Sequence, residues 1–263
     1  MSASSGRLRL VWEITAAVFL ASAFCMAVWW IGAHLDSTLE WARVWQYRES
    51  LWKGWLGTVI ISAGALPGSC LVAALLVAGS RAKLKAVRIF TRGFVELVRG
   101  LPLLTLVLIG YFVVFAQRNI SELLDSTGLG SKLFAGIALL SLFTAAYLSE
   151  ILRGGLDSIP QGQIDSARAV GFNRFQVLRF VVWPQALRRV LPALAGQFVS
   201  LVKDSSLLSV IGIEEFTYAA RAYNSATYGG LEAFLLLGAG YLLITLPIAW
   251  FAHWMEKRFR YQM

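Results

Sequence analysis

Charge is scarce in this sequence: 15% of its 263 residues are Asp, Glu, Lys or Arg and 57% are hydrophobic, against about 25% charged in a soluble globular domain. That shortfall, with a mean hydropathy of +0.64, excludes an ordinary soluble fold. Histidine is as rare, with only His34 and His253, and cysteine is confined to Cys25 and Cys70 within apolar runs. A disulfide framework and a metal centre are therefore not expected, nor is a membrane-embedded enzyme, which needs His, Asp, Glu or Cys clustered at membrane depth. No stretch reads G-x-x-x-x-G-K-[ST], so the chain does not bind a nucleotide by a phosphate loop. Alternating ten-residue strands are missing too, which excludes a transmembrane barrel. No internal repeat of 20–50 residues or low-complexity tract is visible.

What is present is a series of long windows free of Asp, Glu, Lys and Arg: 14–35, 54–80, 100–117, 133–149 and 233–255. A further run from Val190 to Ile213 is broken only by Lys203 and Asp204. Windows near 20 residues match the thickness of a bilayer crossed by helices, so the class is an all-α integral membrane protein with six expected transmembrane helices. Arg7 and Arg9 ahead of the first window also suit a signal peptide, but its apolar run exceeds the usual 7–15 residues, and a retained helix is expected. With the N-terminus inside, 17 of the 24 Lys and Arg fall on cytoplasmic segments and six outside (Arg43, Arg48, Lys53, Arg118, Lys132 and Arg221), with Lys203 left in a span. By the positive-inside rule both termini are cytoplasmic. The net charge of +9 thus reports topology, and no nucleic-acid partner is expected.

One cytoplasmic segment, residues 158–189, holds six charged side chains between long apolar stretches. Ser158 with Gln161 reads as a helix start with a capping box, and Gly171 as the left-handed residue that ends that helix. Asn173 with Gln176 repeats the start signal, opening a second helix with Phe175, Leu178 and Val182 on one stripe, which Pro184 closes. Earlier, Lys85, Arg88, Arg92, Glu96 and Arg99 recur every three or four residues on one helical face. The favoured expectation is an interfacial helix laying this face on anionic headgroups. The sharper alternative makes Glu96 and Arg99 part of a gate, with Pro102 kinking the chain just beyond them. Glu150 and Arg153 are expected to form only a local ion pair. Gly64 and Gly68 permit close helix contact.

The segment "DSARAVG", followed after nine residues by "VVWP", resembles the cytoplasmic-loop motif of permease subunits in ATP-binding-cassette importers. "GFVELVRGLPLL" at 93–104, "SEILRGGLDSIPQGQ" at 149–163, "WPQALRRVLP" at 183–192 and "LVKDSSLLSVIG" at 201–212 are similar to the polar amino-acid branch of that family, the histidine, glutamine and glutamate type. Asp165, Ser166, Val181 and Trp183 depart from the motif's Glu, Ala, Ile and Leu. The resemblance implies a type I permease fold with a coupling helix between spans four and five, docked on a separate ATPase through Asp165, Ser166, Ala167, Arg168 and Gly171. It implies that ATP and Mg are bound by those ATPase subunits and that this chain needs no cofactor. It further implies a second permease subunit (the same chain or a paralogue), an extracytoplasmic substrate-binding protein, and a place in the bacterial cytoplasmic membrane. The expected division is residues 1–53 as tail, extra span and outer loop, 54–254 as the transmembrane domain with its coupling segment at 153–190, and 255–263 as a cytoplasmic tail.

Lys203 and Asp204 are the remaining candidates. Each charge at a helix centre disfavours insertion by about 2.5–3.5 kcal/mol, so neither is expected to face lipid. Consecutive residues on a helix point about 100° apart. One is therefore expected to face the pathway or a subunit interface and the other a neighbouring helix or unwound backbone, the alternative being a buried ion-pair network that fixes packing. A single Lys-Asp pair is thin support for a channel filter. A self-contained secondary transporter is the main alternative, but paired broken helices in two related halves are not seen.

Overall fold

The computed structural model describes residues 2–34, 40–126, 131–227 and 231–259. Every regular element among them is helical, as the composition requires: in hydrocarbon each backbone N–H and C=O must be satisfied within its own segment. Arg260, counted above with the cytoplasmic cations, lies outside the described residues. The chain divides into two units, Met1–Trp41 and Ala42–Met263.

The first unit is helix α1, Ser2–His34. Its apolar stretch, Trp12–Ala27, reaches about 24 Å at 1.5 Å per residue, short of the roughly 30 Å hydrocarbon core.

Helix α2 (Trp41–Gln46) begins at the last residue of the first unit, and α3 (Arg48–Ser80) follows in the second. Next come α4 (Lys85–Gly100), α5 (Leu103–Gly110) continued by a wide π turn at Tyr111–Phe115, and α6 (Arg118–Ser126). Helix α7 (Ser131–Asp157) leads to the short α8 (Gln161–Ala169) and α9 (Arg174–Gln176). A second π turn, Val177–Val182, joins α10 (Trp183–Asp204), which tightens into a 3₁₀ segment at Ser205–Ile211. Finally α11 (Phe216–Thr227) and α12 (Leu231–Phe259) close the unit.

Among the described residues four helices are long and apolar enough to cross a membrane, or five if the bent pair α4–α5 is one span. The expected count of six is not reached by length and composition. The difference lies in α1, whose uncharged window from 14 to 35 contains a shorter apolar stretch, and in the window at 100–117. There the chain does not kink within one helix. It turns by 112° between α4 and α5, because Pro102 forces Leu101 into extended backbone (φ −102°, ψ 144°).

Lipid tails are as apolar as leucine, so close packing rather than hydrophobicity holds such helices together. Helix α3 runs along α7, and α10 packs on both α7 and α12. A Cβ on Gly64 would lie 2.9 Å from Ile137, and one on Gly68 2.6 Å from the Ser141 hydroxyl, which donates to the Ala65 carbonyl at 3.2 Å. The expected close contact at these two glycines is thus the α3–α7 seam. Around it Ile61, Val107, Leu140, Ala146, Leu201 and Leu208 are buried in one cluster drawn from α3, α5, α7, α10 and the 3₁₀ segment.

Candidate functional site

The segment expected to couple has a small hydrophobic core of its own. Ile159, Ala167, Val177 and Val182 are buried together, and this cluster fixes which face of α8 points outward. Its start differs from expectation. Pro160 occupies the cap position without a side-chain bond, and the Ser158 hydroxyl donates back to Gly155 O at 2.7 Å. A serine at the end of a long helix has that carbonyl within reach and spends its hydroxyl there. The end of α8 is as expected: Gly171 holds φ +91°, Gly171 N–H donates to Arg168 O at 2.9 Å and Phe172 N–H to Ala167 O at 3.1 Å, a complete Schellman motif. Asn173 and Gln176 form the reciprocal capping box, at 2.8 and 2.9 Å.

The second helix is not closed by Pro184. It passes through the Val177–Val182 π turn into α10, with Pro184 in the first turn. The extra residue of a π turn relieves the clash of a proline ring with the preceding turn. It also shifts the stripe: Val177 and Val182, five apart, are buried, while Phe175 and Leu178 are exposed.

Of the five residues assigned to coupling, Asp165, Ser166 and Arg168 are exposed on α8, Gly171 shapes its end, and Ala167 faces inward. Ala167 therefore positions the helix rather than offering a contact. Asp165 accepts from Gln161 at 3.1 Å and pairs with Arg168 at 3.4 Å, with Val170 and Phe175 exposed beside them. Two further bonds, missed in the sequence, brace the segment against α10: Arg189 donates to Ser158 O at 2.8 Å and Gln185 to Gln163 at 2.8 Å.

At the same end of the unit a cavity of about 220 Å³ opens between α3, α4 and α7, lined by Ser80, Arg92, Glu96, Arg99, Glu150 and Arg153 among others. The charged face of α4 thus divides. Its C-terminal half faces this cavity, while Lys85 is exposed and Arg88 half-buried. Glu150 and Arg153 are more than a local pair. Glu150 receives Arg153 at 2.6 Å and also Arg99 of α4 at 3.4 Å, and the Arg99 guanidinium lies 5.4 Å from the Tyr147 ring centroid. Arg153 reaches Asp157 at 3.5 Å, and Asp157 pairs with Arg81 beyond the end of α3.

Lys203 and Asp204 are remote from that cavity, at the C-terminal end of α10. Among the described residues neither forms an ion pair. Lys203 is exposed and shares a stripe of three- and four-residue steps with exposed Ala193, Gly196 and Ser200, while Asp204 is half-buried.

The most thoroughly buried carboxylate was not singled out in the sequence. Glu215, fully buried, caps α11: its carboxylate accepts from Thr217 N–H at 2.9 Å and Tyr218 N–H at 2.7 Å. Tyr241 of α12 donates to it at 2.9 Å and Thr58 of α3 at 3.3 Å. Burial pushes its carboxyl above the ordinary carboxylate range, against the pull of the two backbone donors and Tyr241. The available signal was an acidic residue just before a helix start. No three His, Cys, Asp or Glu among the described residues are grouped to hold a metal.

Comparison with known proteins gives a consistent result. Residues 70–261 match the family described as "Binding-protein-dependent transport system inner membrane component". The chain is 36% identical over 218 residues to the probable glutamine ABC transporter permease protein GlnP of Bacillus subtilis (strain 168), covering 81% of this chain and 95% of that protein. It is 39% identical over 161 residues to the nopaline transport system permease protein NocM of Agrobacterium fabrum, covering 60% of this chain and 66% of that protein. Among solved structures, "Crystal structure of an amino acid ABC transporter with histidines" superposes with a TM-score of 0.72 at 26% identity, over 84% of this chain and all of the other.

Proposed function

The chain belongs to the family of binding-protein-dependent transport system inner membrane components, and from that membership we propose that it forms the pathway by which an amino acid enters the cell. It is the multi-pass, membrane-spanning subunit of an ATP-driven importer and works with an ATPase and a binding protein, as its family does. The substrate class follows from relatives named for glutamine and nopaline and a neighbour described as an amino acid transporter.

The observation that carries the coupling role is the exposed face of α8. Asp165, Ser166, Arg168 and Val170 stand outward on a helix held from below by its own small core. A rigid, capped helix transmits displacement where a loose loop absorbs it, and its exposed charges complement a partner surface. In this reading α8 docks on the ATPase, which binds ATP and Mg²⁺, and both termini are cytoplasmic. A second permease subunit, this chain or a paralogue, completes the pathway. Lys203 lines it, since an exposed cation at membrane depth is too costly to leave against lipid, and half-buried Asp204 lies beside it.

The test is uptake by proteoliposomes holding this chain, its ATPase and its binding protein. Radiolabelled amino acid should accumulate only with ATP and binding protein together. Accumulation driven by an ion gradient without ATP would make the chain a secondary transporter. Lys203→Met and Asp204→Asn should assemble normally and lose uptake in at least one case; full uptake by both and by the double variant removes them from the pathway.

A further inference from the structure

The cavity between α3, α4 and α7 carries charges that the protein leaves incompletely used. Glu150 is neutralised within the chain, receiving Arg153 at 2.6 Å and Arg99 at 3.4 Å. Arg92 and Glu96 also line the cavity. They stand one helical turn apart on the same face of α4, a spacing at which a guanidinium and a carboxylate readily pair. Among the described residues neither forms an ion pair. The cavity therefore presents one guanidinium that acts on Glu150 only from beyond ion-pair distance and one carboxylate without an ion pair, with Arg99 beside them only partly engaged and 41% exposed.

A simple anion would satisfy Arg92 and be repelled by Glu96; a simple cation would meet the reverse problem. The matching ligand carries both charges a few ångströms apart, as the α-carboxylate and α-ammonium of an amino acid do. A guanidinium grips a carboxylate through two parallel N–H donors, and a carboxylate accepts the ammonium hydrogens. The side chains of Leu76 and Val77 supply apolar wall. About 220 Å³ is room enough for such a molecule.

The geometry points to a second, release-end binding site for the α-amino-carboxylate group of the transported amino acid, made by Arg92, Glu96 and Arg99 and separate from Lys203 and Asp204. It rests on the amino-acid importer reading. Its position gives it a consequence. The cavity lies at the end of the unit where α7 runs into the coupling segment, and a ligand held there bridges α4 to α7. Amino acid accumulating on that side would therefore hold these helices together and slow the transport cycle.

The test uses the permease assembled with its ATPase in nanodiscs, without binding protein, dialysed to equilibrium against a tritiated mixture of the twenty common L-amino acids. Saturable binding is expected, unaffected by excess N-acetyl amino acids, which lack the ammonium. Arg92→Gln and Glu96→Gln should each weaken it at least tenfold, while Arg92→Lys and Glu96→Asp, which keep the charges, should retain part of it. Lys85→Gln, on the exposed start of α4 and outside the cavity, should bind as the parent does. Unchanged binding in the two glutamine variants overturns the site. So does the absence of binding by a complex that imports one of the twenty with ATP, and either result leaves the importer reading standing. A complex that imports none of the twenty overturns that reading and the site with it.

Discussion

Gly171 holds φ +91° with open space around the position a Cβ would occupy, so what it contributes is backbone conformation, not room. An L-residue with a bulky side chain in the left-handed region costs about 1–2 kcal/mol, and here the cost falls on the turn that joins α8 to the Asn173 capping box. Gly171→Leu should leave the membrane-embedded helices assembled, because no neighbour is struck, yet tilt α8 away from its proposed docking pose. Substrate-stimulated ATPase activity should fall several-fold at unchanged yield of the purified complex. Gly171→Asn, which tolerates the left-handed region, should lose much less. Equal activity in all three proteins would show that the pose of α8 is not set at this turn. Gly171 and the Asn173–Gln176 box were legible because each rests on a few adjacent residues with one conformational need. Glu215 was not, because its significance depends on Thr58 and Tyr241, 157 and 26 residues away.

Between elements, the ion pairs Arg99–Glu150, Glu150–Arg153, Arg153–Asp157 and Asp157–Arg81 tie the ends of α4, α7 and α3 together just before the coupling segment. Asp157 and Arg81 are 54% and 44% exposed, and an exposed pair contributes at most about 1 kcal/mol to stability. Arg81→Asp and Asp157→Arg should therefore shift the melting temperature little while lowering ATP-driven uptake, and the double reversal should recover most of it. Low uptake in the double variant would mean that each residue acts separately and the link between helix ends is not what matters. A close helix contact was readable at Gly64 and Gly68, where small residues four apart let another helix approach, but that α7 is the partner was not. The π turn at Val177–Val182 and the 112° bend at Pro102 were not. Proline announces that a helix is disturbed, but whether the chain bulges and continues, as at Pro184, or breaks, as at Pro102, is decided by what packs around it.

For the molecule as a whole, the proposed orientation rests on the distribution of its basic residues: with the N-terminus inside, 17 of 24 fall on the cytoplasmic side and six outside. Short loops rich in Lys and Arg stay in the cytoplasm, and on the proposed orientation the coupling segment is inside and the stretch before α3 outside. Tyr47, directly before α3, and Asn173, at the capping box, sample the two sides. The native cysteines, Cys25 and Cys70, are both exposed on the isolated chain and must be replaced first, or they would compete for the reagent. In that background Tyr47→Cys should react with a membrane-impermeant maleimide in intact spheroplasts, whereas Asn173→Cys should react only after permeabilisation. The second result matters more, because α8 can meet a cytoplasmic ATPase only if position 173 is inside. Labelling of Asn173→Cys in sealed cells would invert the orientation, set the charge distribution against the positive-inside rule, and remove the physical basis for coupling through α8.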